Sequence, residues 1–168
     1  MGEVKTAYAT KTVKYSGLFD VNKVHKYLVS WFTNNKFNMF EEMTEEQVLP
    51  EGKQITYSYK PNKKFSDFAK AVIHLEVSFS GVQDLQVEVE GLKKTMQKGD
   101  VEICITGYVE TDYENKWETK PLYYFFKIIF EKFFLGSHRS YYESFVSKNC
   151  QLLYDETKAM LNISKLKI

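Results

Sequence analysis

The chain has 168 residues, the length of one ordinary domain, so it can bury a core without disulfides or metal ions. Hydrophobic residues make up 43% and charged residues 27% of the sequence, which excludes wholesale disorder. The 23 lysines and arginines nearly balance the 22 aspartates and glutamates, so the net charge of +1 draws the chain neither to nucleic acid nor to anionic membranes.

The polarity of the N-terminal stretch, the length of the apolar runs and the two cysteines bear on the compartment. The N-terminal stretch MGEVKTAYATKTVKY is too polar for a signal peptide, and no apolar run reaches the roughly 18 residues that a membrane span needs. Cys104 and Cys150 have no metal-binding spacing around them, so we expect two buried free thiols. The sequence therefore predicts a cytoplasmic protein without disulfides, cofactors or metal ions.

The first third of the chain predicts a strand followed by a helix. Residues 4–19 alternate between apolar and polar, the period of a half-buried strand. Asp20 stands at an N-cap position, and Val21, Val24, Leu28 and Trp31 follow at helical spacing, so we expect a helix to about Phe32. The asparagines at positions 34 and 35 should end it in the left-handed conformation.

Residues 37–49 fit either a strand or a helix with a charged face, and we choose the strand. A turn at residues 50–52 and clean alternation over residues 54–59 predict a hairpin. Residues 68–79 should form a long strand with one solvent-facing side. A turn at Ser80-Gly81 should connect it to a second strand over residues 84–89. After a loop over residues 91–99, residues 101–109 predict the last strand, and a simple meander of sequential neighbours is expected.

The C-terminal part predicts two helices. Pro121 opens the aromatic segment PLYYFFKIIFEKFFL, which should be helical to Leu135 and end at Gly136. Ser140 and Glu143 fit a capping box for a last helix that runs to about Leu161, with Asn162 as its cap. The prediction is one α+β domain over residues 1–168, strand-rich over 1–112 and helical over 119–162. In it, a twisted antiparallel sheet of about six strands carries the first helix and two C-terminal helices.

This order of elements resembles that of helix-grip domains, the START and Bet v 1-like architecture, in which a curved sheet wraps the last helix. The resemblance covers most of the chain but rests on no sequence motif, and the aromatic helix before the terminal one departs from it. It implies a binding protein for an apolar small molecule or lipid held between sheet and helix.

A second resemblance covers the C-terminal third. The stretch GYVETDYENKWETKP, the aromatic segment and the ending LLYDETKAMLNI look like uncharacterised archaeal proteins. That resemblance implies a microbial or viral cytoplasmic origin and carries no activity.

No catalytic signature links the titratable residues. His25, His74 and His138 are scattered over different elements, and an acid–base role is conceivable only for His74 with Glu76 on one strand face, where a solvated outer face explains both. The one acidic cluster fits a solvated face or a basic partner. Its members are Glu41, Glu42, Glu45 and Glu46.

Six lysines fall in two predicted loops that a meander would bring to one end of the sheet. There they would either solubilise the protein or contact phosphate, in RNA or in a lipid head group. These anion-contact candidates are Lys60, Lys63, Lys64, Lys93, Lys94 and Lys98.

The aromatic helix is apolar nearly all round, so it should be buried between the sheet and the terminal helix or present one flank to a partner. The candidates for such a partner surface are Tyr123, Tyr124, Ile128 and Phe134. We therefore expect a non-catalytic interaction or structural protein, as a homo-oligomer subunit or an adaptor in a larger assembly. The alternatives are the helix-grip carrier and an accessory protein that contacts RNA or phosphate through the lysine-rich loops.

Overall fold

The computed structural model describes residues 3–89, 92–111, 113 and 135–166. Its architecture is α+β, with one open antiparallel sheet of six strands and two helices in the described part of the chain. The strands are β1 (Glu3–Phe19), β2 (Glu41–Leu49), β3 (Gly52–Tyr59), β4 (Asn62–Lys64), β5 (Ala69–Val89) and β6 (Leu92–Thr111). The helices are α1 (Val21–Asn34) and α2 (Leu135–Leu166). The sheet order is β1-β6-β5-β3-β2, and β4 pairs with the start of β5.

The two faces of the sheet differ as the alternation predicts. On β5, Ile73, Leu75 and Val77 are at most 1% exposed and belong to the same core cluster as the buried side of α1. His74 and Glu76 point to the opposite face, where His74 is half-buried and Glu76 is exposed. We call the face that carries the helices the inner face and the polar one the outer face.

The predicted start of α1 is confirmed, and its predicted end is partly wrong. The side chain of Asp20 accepts a hydrogen bond from the backbone N–H of Lys23 at 3.1 Å, which caps the first turn. Asn35 is the C-cap, but its φ is −85°, and the residue in the left-handed region is Lys36 with φ 59°. The chain therefore reverses one residue later than asparagine preference suggests.

The predicted β2–β3 hairpin is confirmed, whereas the turn predicted at Ser80-Gly81 is wrong. The register of β5 against β6 shifts between Ser80 and Gln83, and Gly81 has φ 59°, so this site is a β-bulge within one long strand. The loop predicted over residues 91–99 is wrong as well, because β6 begins at Leu92. β5 and β6 run past their last partners on β3 and β1 as a two-stranded ribbon of residues 84–89 and 92–96.

The simple meander is also wrong, because β1 lies beside β6 rather than beside β2. Its register runs from Glu3 opposite Thr111 to Phe19 opposite Gln97. Helix α1 follows β1 directly, and its buried side lies in the core of the inner face. The chain can therefore leave one edge of the sheet and start β2 at the other.

Helix α2 begins earlier than predicted. Gly136, His138 and Ser140 all lie within it, so the expected stop and the capping box are wrong, and Asn162 lies inside the helix rather than at its cap. The predicted aromatic helix falls on residues 121–134, which lie outside the described residues.

A glycine lets α2 lie close to the sheet. A Cβ on Gly107 of β6 would come 2.5 Å from Val146 Cγ1 and 2.7 Å from Cys150 Sγ, both on α2. Val146 and Cys150 are fully buried. Further along α2, Glu156 accepts a hydrogen bond from Trp31 Nε1 of α1 at 2.7 Å, so both helices are fixed to one another over the inner face.

Candidate functional site

The outermost strand β2 is the best candidate for a functional surface. It ends the sheet order, and among the described residues no strand pairs with its far side. The six consecutive residues from Met43 to Val48 are all exposed, so both faces of this stretch reach solvent. An edge of this kind presents backbone N–H and C=O groups that can pair with another chain.

The position of β2 follows from its hairpin with β3. Leu49 pairs with Gly52 across a turn of two residues, which fixes the register of the whole pair. Gly52 has φ 134°, and a Cβ there would lie 2.7 Å from the backbone carbon of Gly81. Only glycine therefore allows the hairpin to lie against the bulge of β5.

Exposed apolar side chains concentrate at this edge. Phe40 is 55% exposed, Met43 43% and Val48 77%. Seven large hydrophobic side chains are exposed in the described part of the chain, and three of them fall within the nine residues from Phe40 to Val48. They are Val4, Phe40, Met43, Val48, Leu85, Tyr141 and Leu152. Such a concentration is typical of a binding surface, whereas single exposed hydrophobic residues are ordinary.

The charge of β2 is of one sign. The strand contains four glutamates and no lysine or arginine. Glu45 lies opposite Thr56 on the outer face, and Glu46 lies opposite Ile55 on the inner face, because directly paired residues share a face. Carboxylates therefore flank the open edge on both sides of the sheet. A second β2 strand paired here would meet like charge, which is destabilising.

The expectation that the six lysines meet is wrong. Lys63 lies opposite Ala71 and Lys94 opposite Val87, and these partners are 16 residues apart on β5. At about 3.3 Å per residue, roughly 50 Å separates the two groups. Lys93, Lys94 and Lys98 lie on β6 and not in a loop, and the register sets Lys93 opposite Glu88. Contact with RNA or phosphate stays a prediction, but the two groups of lysines do not form the common site from which it was inferred.

Lys63 has a structural role. Its Nζ donates a hydrogen bond to the backbone oxygen of Asn35 at 3.1 Å. The same ammonium lies 5.6 Å from the ring centroid of Phe37 and 5.2 Å from that of Phe145. Lys63 therefore connects the two helices: its hydrogen bond holds the C-cap of α1, and its cation–π contact with Phe145 holds α2. At the same end of the sheet, the Nζ of Lys64 lies 5.3 Å from the ring of Tyr113, and Lys60 is exposed.

The three histidines lie apart, as the sequence indicates. His25 Nε2 is 2.6 Å from the hydroxyl of buried Tyr59 and is a packing residue of the inner face. His74 Nε2 is 3.3 Å from Ser58 Oγ on the outer face, and His138 lies in α2. In the described ranges no three His, Cys, Asp or Glu residues are grouped so that they could hold a metal ion.

Both cysteines are free thiols, and only one of them is buried as expected. Cys150 is fully buried, and burial raises its pKa to about 12, so its thiolate is scarcely populated at neutral pH. Cys104 lies on the outer face and is half-buried, which corrects the expectation of two buried thiols. Its Sγ is 3.4 Å from Thr12 Oγ1.

The outer face also carries an open depression of about 380 Å³ between β1, β5 and β6. Its lining includes Lys14, Asp100 and Glu102, and Lys14 Nζ is 3.3 Å from Glu102 Oε2. Both charges of that pair are well exposed, so it is a weak surface ion pair. Six of its eight lining residues carry a charge or are serines, so this open depression is a solvated surface.

The partner-surface candidates from the aromatic segment lie at positions 123, 124, 128 and 134, outside the described residues. The sequence analysis identified the acidic cluster but missed the exposed apolar residues of β2. A signal was present, because residues 41–48, EEMTEEQV, place charged residues on both parities. A strand with a buried face keeps its charges on one parity.

No protein-family model matches the sequence, and no curated protein or solved structure is detectably similar to it. Neither helix in the described part of the chain is long and apolar enough to cross a membrane.

Proposed function

We propose that this is a non-catalytic interaction protein, a subunit or adaptor of a larger assembly, whose docking surface is the open edge of β2. The observation that carries the proposal is the exposure of residues Met43 to Val48 on both faces of the sheet. A strand of a partner that pairs with β2 would gain backbone hydrogen bonds and cover Met43 and Val48. The aromatic segment with Tyr123, Tyr124, Ile128 and Phe134 stays a second surface that the sequence predicts.

Site-specific cross-linking tests this proposal. Val48 is replaced by the photoreactive residue benzoylphenylalanine, and Leu152 of α2, which is 46% exposed, carries the same replacement as a matched control. In cells of the source organism, illumination should give an adduct of defined mass from position 48 and none from position 152. The mass tells a homo-oligomer from an adaptor. Adducts from both positions alike, or from neither, would refute a docking role of β2.

The second candidate is a helix-grip carrier of an apolar small molecule or lipid. One observation supports it: α2 packs on the inner face of the sheet, where the last helix lies in that architecture. The direct contact of α2 with Gly107 speaks against a ligand at that level of the sheet. Native mass spectrometry of the purified protein separates the candidates, because a carrier gives a monomer with added ligand mass. A bare monomer that also fails to cross-link would contradict both.

A further inference from the structure

The open edge of β2 also indicates what kind of strand it accepts. The two faces of β2 each combine one exposed apolar residue with one exposed glutamate. On the outer face these are Met43 and Glu45, and on the inner face Glu46 and Val48. The apolar residues lie at the ends of the six-residue stretch and the carboxylates at its centre.

A strand added to this edge would set one residue opposite each residue of β2, on the same face. Opposite the two glutamates, basic side chains are favoured because they would pair with carboxylates on either face. Opposite Met43 and Val48, apolar side chains are favoured because they would remove exposed apolar surface from water. The complementary pattern is apolar-x-basic-basic-x-apolar, and it is the same whether the strand is read forwards or backwards.

We propose that β2 binds an extended segment of another protein that carries two adjacent lysines or arginines flanked two positions away by apolar residues. This inference rests on the proposed function and specifies its partner.

This chain does not itself supply such a segment. It contains two Lys-Lys pairs, at residues 63–64 and 93–94. Pro61 and Ser66 occupy the flanking positions of the first, and Gly91 precedes the second, so neither fits the pattern. The basic edge strand β1 does not fit either, because its lysines are separated and already engaged. The Nζ of Lys5 is 2.6 Å from Oε1 of Glu143, and the Nζ of Lys11 donates a hydrogen bond to Oε1 of Gln151 at 2.8 Å.

Fluorescence anisotropy with labelled peptides tests the inference in vitro on the full chain. The probe is a synthetic peptide with the central sequence Val-Thr-Lys-Lys-Thr-Val, and the comparison peptide carries Glu-Glu at its centre. We expect the Glu45→Lys/Glu46→Lys variant to bind the lysine peptide at least about tenfold more weakly than the unchanged protein does, and to bind the glutamate peptide instead. A lysine peptide with N-methylated backbone should not bind, because it cannot complete the hydrogen-bond ladder.

The matched control is Asp67→Lys/Asp100→Lys, which changes the net charge equally at two exposed carboxylates, one in the loop before β5 and one on β6, which β5 and β3 separate from β2. This control should bind the lysine peptide like the unchanged protein, and circular dichroism should show that both variants are folded. Equal weakening in the two variants, or no binding of the lysine peptide to the unchanged protein, would overturn the inference. So would self-association that the Glu45→Lys/Glu46→Lys variant abolishes, because the occupant would then be a second copy. If cross-linking from position 48 succeeds while the peptide fails, only the basic character of the partner is refuted.

Discussion

The contact between α2 and β6 at Gly107 gives the sharpest test of the fold. A methyl group there would meet Val146 Cγ1 at 2.5 Å and Cys150 Sγ at 2.7 Å, so Gly107→Ala forces α2 to shift or the strand to bend. Overpacking of this kind costs about 1–3 kcal/mol. The lower entropy of the unfolded chain offsets about 0.4–1 kcal/mol of that cost. We expect the free energy of unfolding to fall by about 1–2 kcal/mol.

A double-mutant cycle isolates the contact. Val146 is fully buried, and Val146→Ala alone should cost about 2 kcal/mol in lost burial and cavity formation. In the double variant the new methyl group on residue 107 enters the space that Val146 vacates. The combined loss should therefore be smaller than the sum of the single losses by about 1 kcal/mol.

The assay is urea unfolding of the unchanged protein and the three variants, followed by circular dichroism. Gly81→Ala serves as control, because a Cβ there has no atom within 4 Å and the cost comes only from its φ of 59°. Its effect should add to that of Val146→Ala. If Gly107→Ala and Val146→Ala are also additive within about 0.3 kcal/mol, α2 does not lie on β6 at Gly107.

Three further predictions concern charge and protonation. Lys63→Met keeps the aliphatic stem but loses the ammonium between two aromatic rings, so thermal unfolding should report a loss of about 1–3 kcal/mol. Lys98→Met changes an exposed strand position and should be neutral, and equal effects would contradict the structural role of Lys63. In the native protein a chromogenic disulfide reagent should titrate Cys104 promptly and Cys150 only on denaturation, whereas two prompt thiols would refute the burial of Cys150. The pKa of Cys150 rises from 9.0 to about 12 on folding and that of Tyr8 from 10.0 to about 12, chiefly because both are buried. The folded state therefore holds these protons more tightly, and the free energy of unfolding should decrease as the pH rises from about 9 towards 12. Cys150→Ala should flatten that decrease in urea titrations at several pH values, and an unchanged slope would contradict the assignment to Cys150.

The parts of the fold that could be predicted are those whose signal is local. Alternation predicts β1 and the wet face of β5, and Asp20 predicts the start of α1. Each depends on side-chain period or on a hydrogen bond three residues away. The β2–β3 hairpin likewise follows from a turn of two residues.

The remaining parts depend on contacts that a local pattern does not contain. Ser80-Gly81 is compatible with a turn and with a bulge, and the partner strand β6, which runs alongside on both sides of the site, decides for the bulge. Ser140 is a sound N-cap residue, yet α2 already extends through it from Leu135. The pairing of β1 with β6 overrides the preference for sequential neighbours.

The candidate site was predictable in its charge and in the exposure of its glutamates, but not in its position at the edge of the sheet. The four glutamates are visible in the sequence, and their placement on both parities indicates a strand without a buried side. That Met43 and Val48 are left uncovered depends on the position of β2 at the end of the sheet. Edge position is a property of strand order, which the alternation of one strand does not encode.

The pairing of β1 with β6 has a consequence for how the molecule is made. Phe19 pairs with Gln97 and Glu3 with Thr111, so during synthesis each residue of β1 waits for 78 to 108 further residues before its partner on β6 exists. A sheet that is completed by its most distant contact folds slowly, because the entropy of closing the long loop is lost before the pairing compensates for it. Throughout that interval Val13, Tyr15 and Phe19, which are buried in the folded protein, lack their partners on β6. We therefore expect early synthesis to be the stage at which this protein depends most on chaperones.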